Sequence, residues 1–98
     1  MEVSNIQAID VHAHYGLYQR HNALTNHLMS GDAERVVELA RLAQTRLTIA
    51  SPLQALMPRF NADTLGGNEA AAQLIPQYDE LRQYVMIDPQ KPETYDQA

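Results

Sequence analysis

The chain has no cysteine among its 98 residues, which excludes disulfides and any zinc site built on thiolates. It has few basic residues, seven against twelve acidic ones, for a formal net charge of −5. Partners of the phosphate backbone usually meet a clustered basic face, so this balance argues against nucleic acid. No apolar run approaches the ~18 residues needed to span a bilayer. The first residues, Met1-Glu2-Val3-Ser4-Asn5, lack both a basic stretch and an apolar stretch, so they do not read as a secretory signal. Internal repeats, low-complexity tracts and linkers are absent too. What is present is ordinary globular material: 45% hydrophobic and 19% charged residues. The expectation is one soluble, cytoplasmic domain over residues 1–98, too small to bury more than about 60–65% of its unfolded surface.

Three short apolar runs alternate with two helical patterns. The first run, residues 6–14, holds Ile9 and Val11, which favour extended backbone. The second, residues 46–51, stops at Pro52, and the third, residues 84–87, stops at Asp88-Pro89; proline cannot donate to a sheet ladder. All three are predicted strands. Between the first two, Ala33, Val36, Val37, Ala40 and Ala43 keep the spacing of an apolar helix stripe, with Ser30 or Asp32 as cap. Between the second and third, Ala71, Leu74, Ile75 and Tyr78 repeat it. Asn68 is the expected cap there, Gly66-Gly67 a flexible lead-in, and Pro76 the kink or end. Strand, helix, strand, helix, strand predicts an α/β fold with a parallel sheet. Pro92-Glu93 reads as the first turn of a third helix.

Two connections are long, from Tyr15 to about Gly31 and from Pro52 to about Gly67. Both follow the carboxyl end of a strand, where parallel α/β sheets bind their ligands, and loops this long in such units are usually functional. The expected working face is therefore the C-terminal edge of the sheet.

Asp10-Val11-His12-Ala13-His14 lies at that edge. Simple alternation places Asp10, His12 and His14 on one face and Ile9, Val11 and Ala13 on the other. Two histidines two residues apart stand about 6.5–7 Å apart at the backbone. From there convergent rings can each bring a nitrogen to about 2.0–2.1 Å from one ion. Asp10 could fix a histidine tautomer from behind, or accept a proton from a water on the ion. The alternative is a hydrogen-bonded or exposed structural cluster. A catalytic zinc usually takes three protein ligands. His21 and His27 in the first loop, and Asp63 and Asp88 later, are the remaining candidates within the chain. Ser51 and Asp88 end strands at the same mouth; their plainer readings are a strand-end turn residue and a residue set before proline. Tyr15 and Tyr18 either line a pocket or pack on the surface.

Ile9-Asp10-Val11-His12-Ala13-His14-Tyr15-Gly16 resembles the first strand of the metal-dependent amidohydrolase superfamily, and most of all its amidohydrolase-related branch, which includes decarboxylases of small aromatic acids. Residues 45–51 running into Pro52-Leu53 resemble its second strand. Asn68-Glu69-Ala70-Ala71-Ala72 resembles the start of its second helix, and residues 84–89 its third strand. The resemblance covers essentially the whole chain. It implies the first three strands of a (β/α)8 TIM barrel, incomplete here because a barrel needs about 250 residues. It also implies that His12 and His14 are metal ligands, with Asp10 behind them and further ligands on later strands. The implied cofactor is a divalent ion, zinc first, with manganese or iron also suited to imidazole and carboxylate.

The implied function is hydrolysis of a small molecule by a metal-activated water. The alternatives are decarboxylation of a small aromatic acid, or a non-catalytic chain that folds by self-association or with a partner. A 98-residue segment lacking the later ligands is expected to be inactive alone, and a homo-oligomer would cover its unpaired surface. One departure from the family pattern is Leu42-Ala43-Gln44-Thr45, which lacks the glycine expected between the first helix and the second strand.

Overall fold

A computed structural model describes residues 6–17, 22–24, 30–56 (of Leu56 the backbone alone) and 63–98. The architecture is α/β. Strand β1 (Ala8–Tyr15) leads to helix α1 (Ala33–Leu42), strand β2 (Thr45–Pro52), a single helical turn α2 (Leu53–Leu56) and helix α3 (Thr64–Leu74). A 3-10 turn (Ile75–Gln77) then precedes strand β3 (Leu81–Gln83) and the short helix α4 (Glu93–Gln97). The three strands are parallel and ordered β1-β2-β3.

Local chemistry accounts for most element ends. Asp32 caps α1, its carboxylate accepting from the Arg35 N–H at 2.8 Å, with Glu34 in the first turn and Arg41 in the last, as the helix dipole favours. At the other end Gln44 takes a left-handed backbone (φ 57°). This is the position where glycine is expected, and glutamine supplies the conformation at some strain. Its carbonyl accepts from the Ala8 N–H at 3.0 Å, which ties the end of α1 to the start of β1. Arg41 also reaches Glu80, just before β3, at 2.6 Å.

Three sequence expectations need correction. Helix α3 starts at Thr64, so Gly66 and Gly67 lie inside it, and its cap is Asp63, which accepts from the Gly66 N–H at 2.9 Å. Asn68 is not a cap but a buried residue of the helix interior. Gly67 is required there because α2 crosses closely: a Cβ at Gly67 would lie 2.7 Å from Ala55 Cβ and 2.9 Å from the Ala55 nitrogen. The third strand lies at 81–83 rather than 84–87. Tyr84 N–H still reaches the Ala50 carbonyl at 2.9 Å, but the chain then leaves β2. Asn68 takes up both backbone groups of Met86, its amide donating to the carbonyl and its oxygen accepting from the N–H, each at 2.8 Å. A backbone satisfied by a side chain has no need of a ladder. As expected, Pro76 ends the helical run, here as a 3-10 turn, and a helix follows Pro92.

One face of the sheet is covered and the other is open. Ala50 and Leu81 from the sheet and Tyr15 at the end of β1 pack with Ala33 and Val37 of α1, Ala71 of α3 and Ile75 of the following turn. Most of these side chains are small, so the helices approach the sheet closely and the buried apolar area is modest. The other face of β2 carries Leu47 and Ile49, both half-buried, and Arg82 and Tyr84 beside them are exposed. On β1 the large apolar residues Ile9 and Val11 are exposed as well.

Candidate metal site

The site begins with an irregularity in β1. Asp10 pairs with Thr48 and Ala13 with Ala50, so three steps on β1 match two on β2, a β-bulge around Val11 and His12. An extra residue inverts the side-chain parity beyond it. The single-face expectation for Asp10, His12 and His14 is therefore corrected. The pairing sets Asp10 beside Thr48 on the covered side and His14 beside Ser51 on the open side, while Ile9, paired with Leu47, shares the open side. Asp10 holds the bulge: its carboxylate accepts from the His12 backbone N–H at 2.9 Å. That oxygen serves the backbone, two residues on, in the local pattern typical of aspartate.

Beyond the bulge the two imidazoles converge. His12 Nε2 and His14 Nε2 stand 3.1 Å apart, with the rings nearly perpendicular at 87°. Two nitrogens each about 2.0–2.1 Å from one ion would be separated by about 2.9 Å at a right angle and about 3.4 Å at a tetrahedral angle. The observed spacing falls between these, so the pair fits as two ligands of one divalent ion. Behind His14, Nδ1 lies 2.9 Å from Ser51 Oγ, and Ser51 is the ladder partner of His14. Ser51 is 2% exposed. Burial, and after it the neighbouring His12, push the His14 imidazole below its ordinary 6.5, with a hydrogen bond to the Ser51 backbone acting the other way. A neutral imidazole is the form that ligates.

The other candidates are placed as follows. Tyr15 packs in the core on the covered side, where burial pushes its phenol up. Asp63 caps α3, and Asp88 caps its own turn, its carboxylate accepting from the Gln90 N–H at 2.9 Å. Thr94, fully buried, holds the same turn from α4 by accepting from the Asp88 N–H. Tyr18, His21 and His27 lie outside the described residues. Among the described residues, no group of three or more histidine, cysteine, aspartate or glutamate side chains converges on one point. The described residues thus bring together two imidazoles, one fewer than the three protein ligands a catalytic zinc usually takes.

Ser51 is the residue whose part was least visible in the sequence. Its position at a strand end beside the histidines was legible, but its hydrogen bond depends on the register of β2 against a bulged β1.

The ends of the first long loop are joined by an antiparallel bridge between Gly16 and Gly31, with N–H to O distances of 2.7 and 3.1 Å. Gly16 adopts φ 121°, which a side chain would strain, so the glycine directly after the His-x-His strand is required by the turn. At the opposite edge of the sheet lies a notch of about 370 Å³ lined by Gln7, Arg41, Gln44, Thr45, Arg46 and Glu80. It is remote from the imidazoles, and its central cation, Arg41, is already paired with Glu80.

No family model, curated protein or solved structure matches this chain. Among the described residues, no helix is long and apolar enough to cross a membrane.

Proposed function

We propose that the chain forms the first three β/α units of an amidohydrolase-type (β/α)8 barrel and contributes two ligands, His12 and His14, to a catalytic divalent metal site. The observation that carries this reading is the facing pair of Nε2 atoms 3.1 Å apart at the C-terminal edge of β1. A bound divalent ion would polarise a substrate carbonyl and bring a water's pKa towards neutrality, which suits hydrolysis of a small molecule. Within this chain, His12 and His14 hold the ion, Asp10 shapes the bulge that aims them, and Ser51 backs His14. The remaining ligands and the proton-transferring carboxylate belong to later strands of the proposed barrel.

The open sheet face supports the same reading. Parallel sheets are normally covered on both faces. Here Leu47 and Ile49 are half-buried, and Ile9 and Val11 are 48% and 58% exposed. In a barrel the open face would turn inward. The same exposure favours a second reading, in which copies of the chain associate through this face.

Native mass spectrometry of the 98-residue chain with added zinc tests both. The metal reading expects one zinc retained per chain and its loss in His12→Ala. No retained zinc, or equal retention in that variant, would contradict it. Dimers or higher oligomers in the same spectra would support the association reading, and a strictly monomeric chain would remove it.

A further inference from the structure

A histidine that ligates through Nε2 must carry its ring proton on Nδ1. Free neutral imidazoles favour the opposite tautomer, so a ligating histidine needs an acceptor at Nδ1. Resting on the metal reading of the His12–His14 pair, we propose that Ser51 is the positioning residue of His14. Its Oγ accepts the Nδ1–H, locks the ring and presents the Nε2 lone pair to the point between the two imidazoles.

Three observations carry this. The Nδ1 to Oγ distance is 2.9 Å. The two residues are direct ladder partners, so the backbone of β1 and β2 sets their approach. Ser51 is 2% exposed, so bulk water competes poorly for the hydroxyl. The reverse polarity, with Ser51 donating to Nδ1, would put the proton on His14 Nε2 and direct it at His12, blocking ligation. It is also the polarity of a serine nucleophile with its histidine base, but a hydroxyl this buried is out of reach of a substrate. Asp10 does not play the same part for His12: it holds the His12 backbone N–H rather than the ring, and the ladder sets it beside Thr48, on the other side of the sheet from Ser51. The support behind the pair is therefore asymmetric, with His14 the more rigidly presented ligand.

The test uses the metal-free, ¹⁵N-labelled 98-residue chain, with histidine ring nitrogens read by long-range ¹H–¹⁵N spectra above the imidazole titration range. His14 is expected as the Nδ1–H tautomer. Ser51→Ala should shift it towards Nε2–H, and Ser51→Thr, which keeps the hydroxyl, should restore Nδ1–H. Zinc affinity, measured by competition with a chromophoric chelator, should fall about 10–100-fold in Ser51→Ala and recover in Ser51→Thr. An Nε2–H tautomer for His14 in the unsubstituted chain overturns the proposal, and that measurement needs no variant to fold. So does a Ser51→Ala chain with unchanged tautomer and affinity. The expected tautomers in a chain that binds no zinc would instead overturn the metal reading and leave the hydrogen-bond polarity standing.

Discussion

Replacing Asn68 with alanine should be among the most damaging single changes outside the histidine pair. Asn68 is 2% exposed and makes three side-chain hydrogen bonds: to the Met86 carbonyl at 2.8 Å, from the Met86 N–H at 2.8 Å, and to Gln97 Oε1 at 2.9 Å. Each is worth about 1 kcal/mol net, and the partners would be left unpaired. Water can reach the half-buried Met86 and Gln97, which limits the cost, and alanine returns a few tenths of a kcal/mol as a better helix former. The expected loss is about 2 kcal/mol, a substantial share of the roughly 5–15 kcal/mol typical of a folded domain. Urea denaturation should show a midpoint lower by about 1–2 M. Hydrogen exchange should show the Met86 amide losing protection before the β1–β2 ladder does.

Asn68→Asp provides a second reading of the same bonds. Its carboxylate can still accept from Met86 N–H but, when ionised, cannot donate to the Met86 carbonyl or to Gln97. Its deficit should shrink as acid protonates it. A loss below about 0.5 kcal/mol for Asn68→Ala, or unchanged Met86 exchange, would refute the view that this side chain holds residues 84–97 to α3.

Gly67→Ala should destabilise by about 1–2 kcal/mol, opposite in sign to the usual gain in a helix, because the new Cβ would meet Ala55 backbone at 2.9 Å; a rise in the thermal midpoint would contradict this. Gln44→Gly should relieve the φ 57° strain and stabilise by about 0.5–1 kcal/mol, read as a melting shift of about 2–8 °C upwards. In the metal-free chain, the His14 ring signals should titrate below 6.5, and His12→Ala should return the midpoint only part of the way because burial is the larger cause. Since folding depresses this pKa, the His14 contribution to stability is complete above 6.5 and is lost as pH falls through the folded midpoint. A midpoint at or above 6.5 would contradict it.

The element types were legible because each carries its own period. The Ala33, Val36, Val37, Ala40 stripe is a helix face, and the proline after Ser51 marks a strand end, from local chemistry alone. Other features depended on partners. The residues of β3, Leu81-Arg82-Gln83, carry one buried apolar side chain and so gave no strand signal, whereas the more apolar 84–87 segment is held by Asn68 across space. Asn68 itself resembled a cap because a pair of glycines precedes it; the glycines are helical because Ala55 leaves no room for a side chain. The histidine pair could be located from spacing alone. The bulge that reverses Asp10 could not, because a bulge is a relation between two strands. Ser51 became part of the site only through the register that sets it opposite His14.

The most direct test of the account is X-ray absorption at the zinc edge on the zinc-loaded chain and on its His12→Ala and His14→Ala variants. Two imidazole nitrogens are expected at about 2.0–2.1 Å from the ion, with each substitution removing one of them. A zinc shell of oxygen alone, or an imidazole count that neither substitution changes, would contradict the assignment of this pair as the metal-binding half of the site.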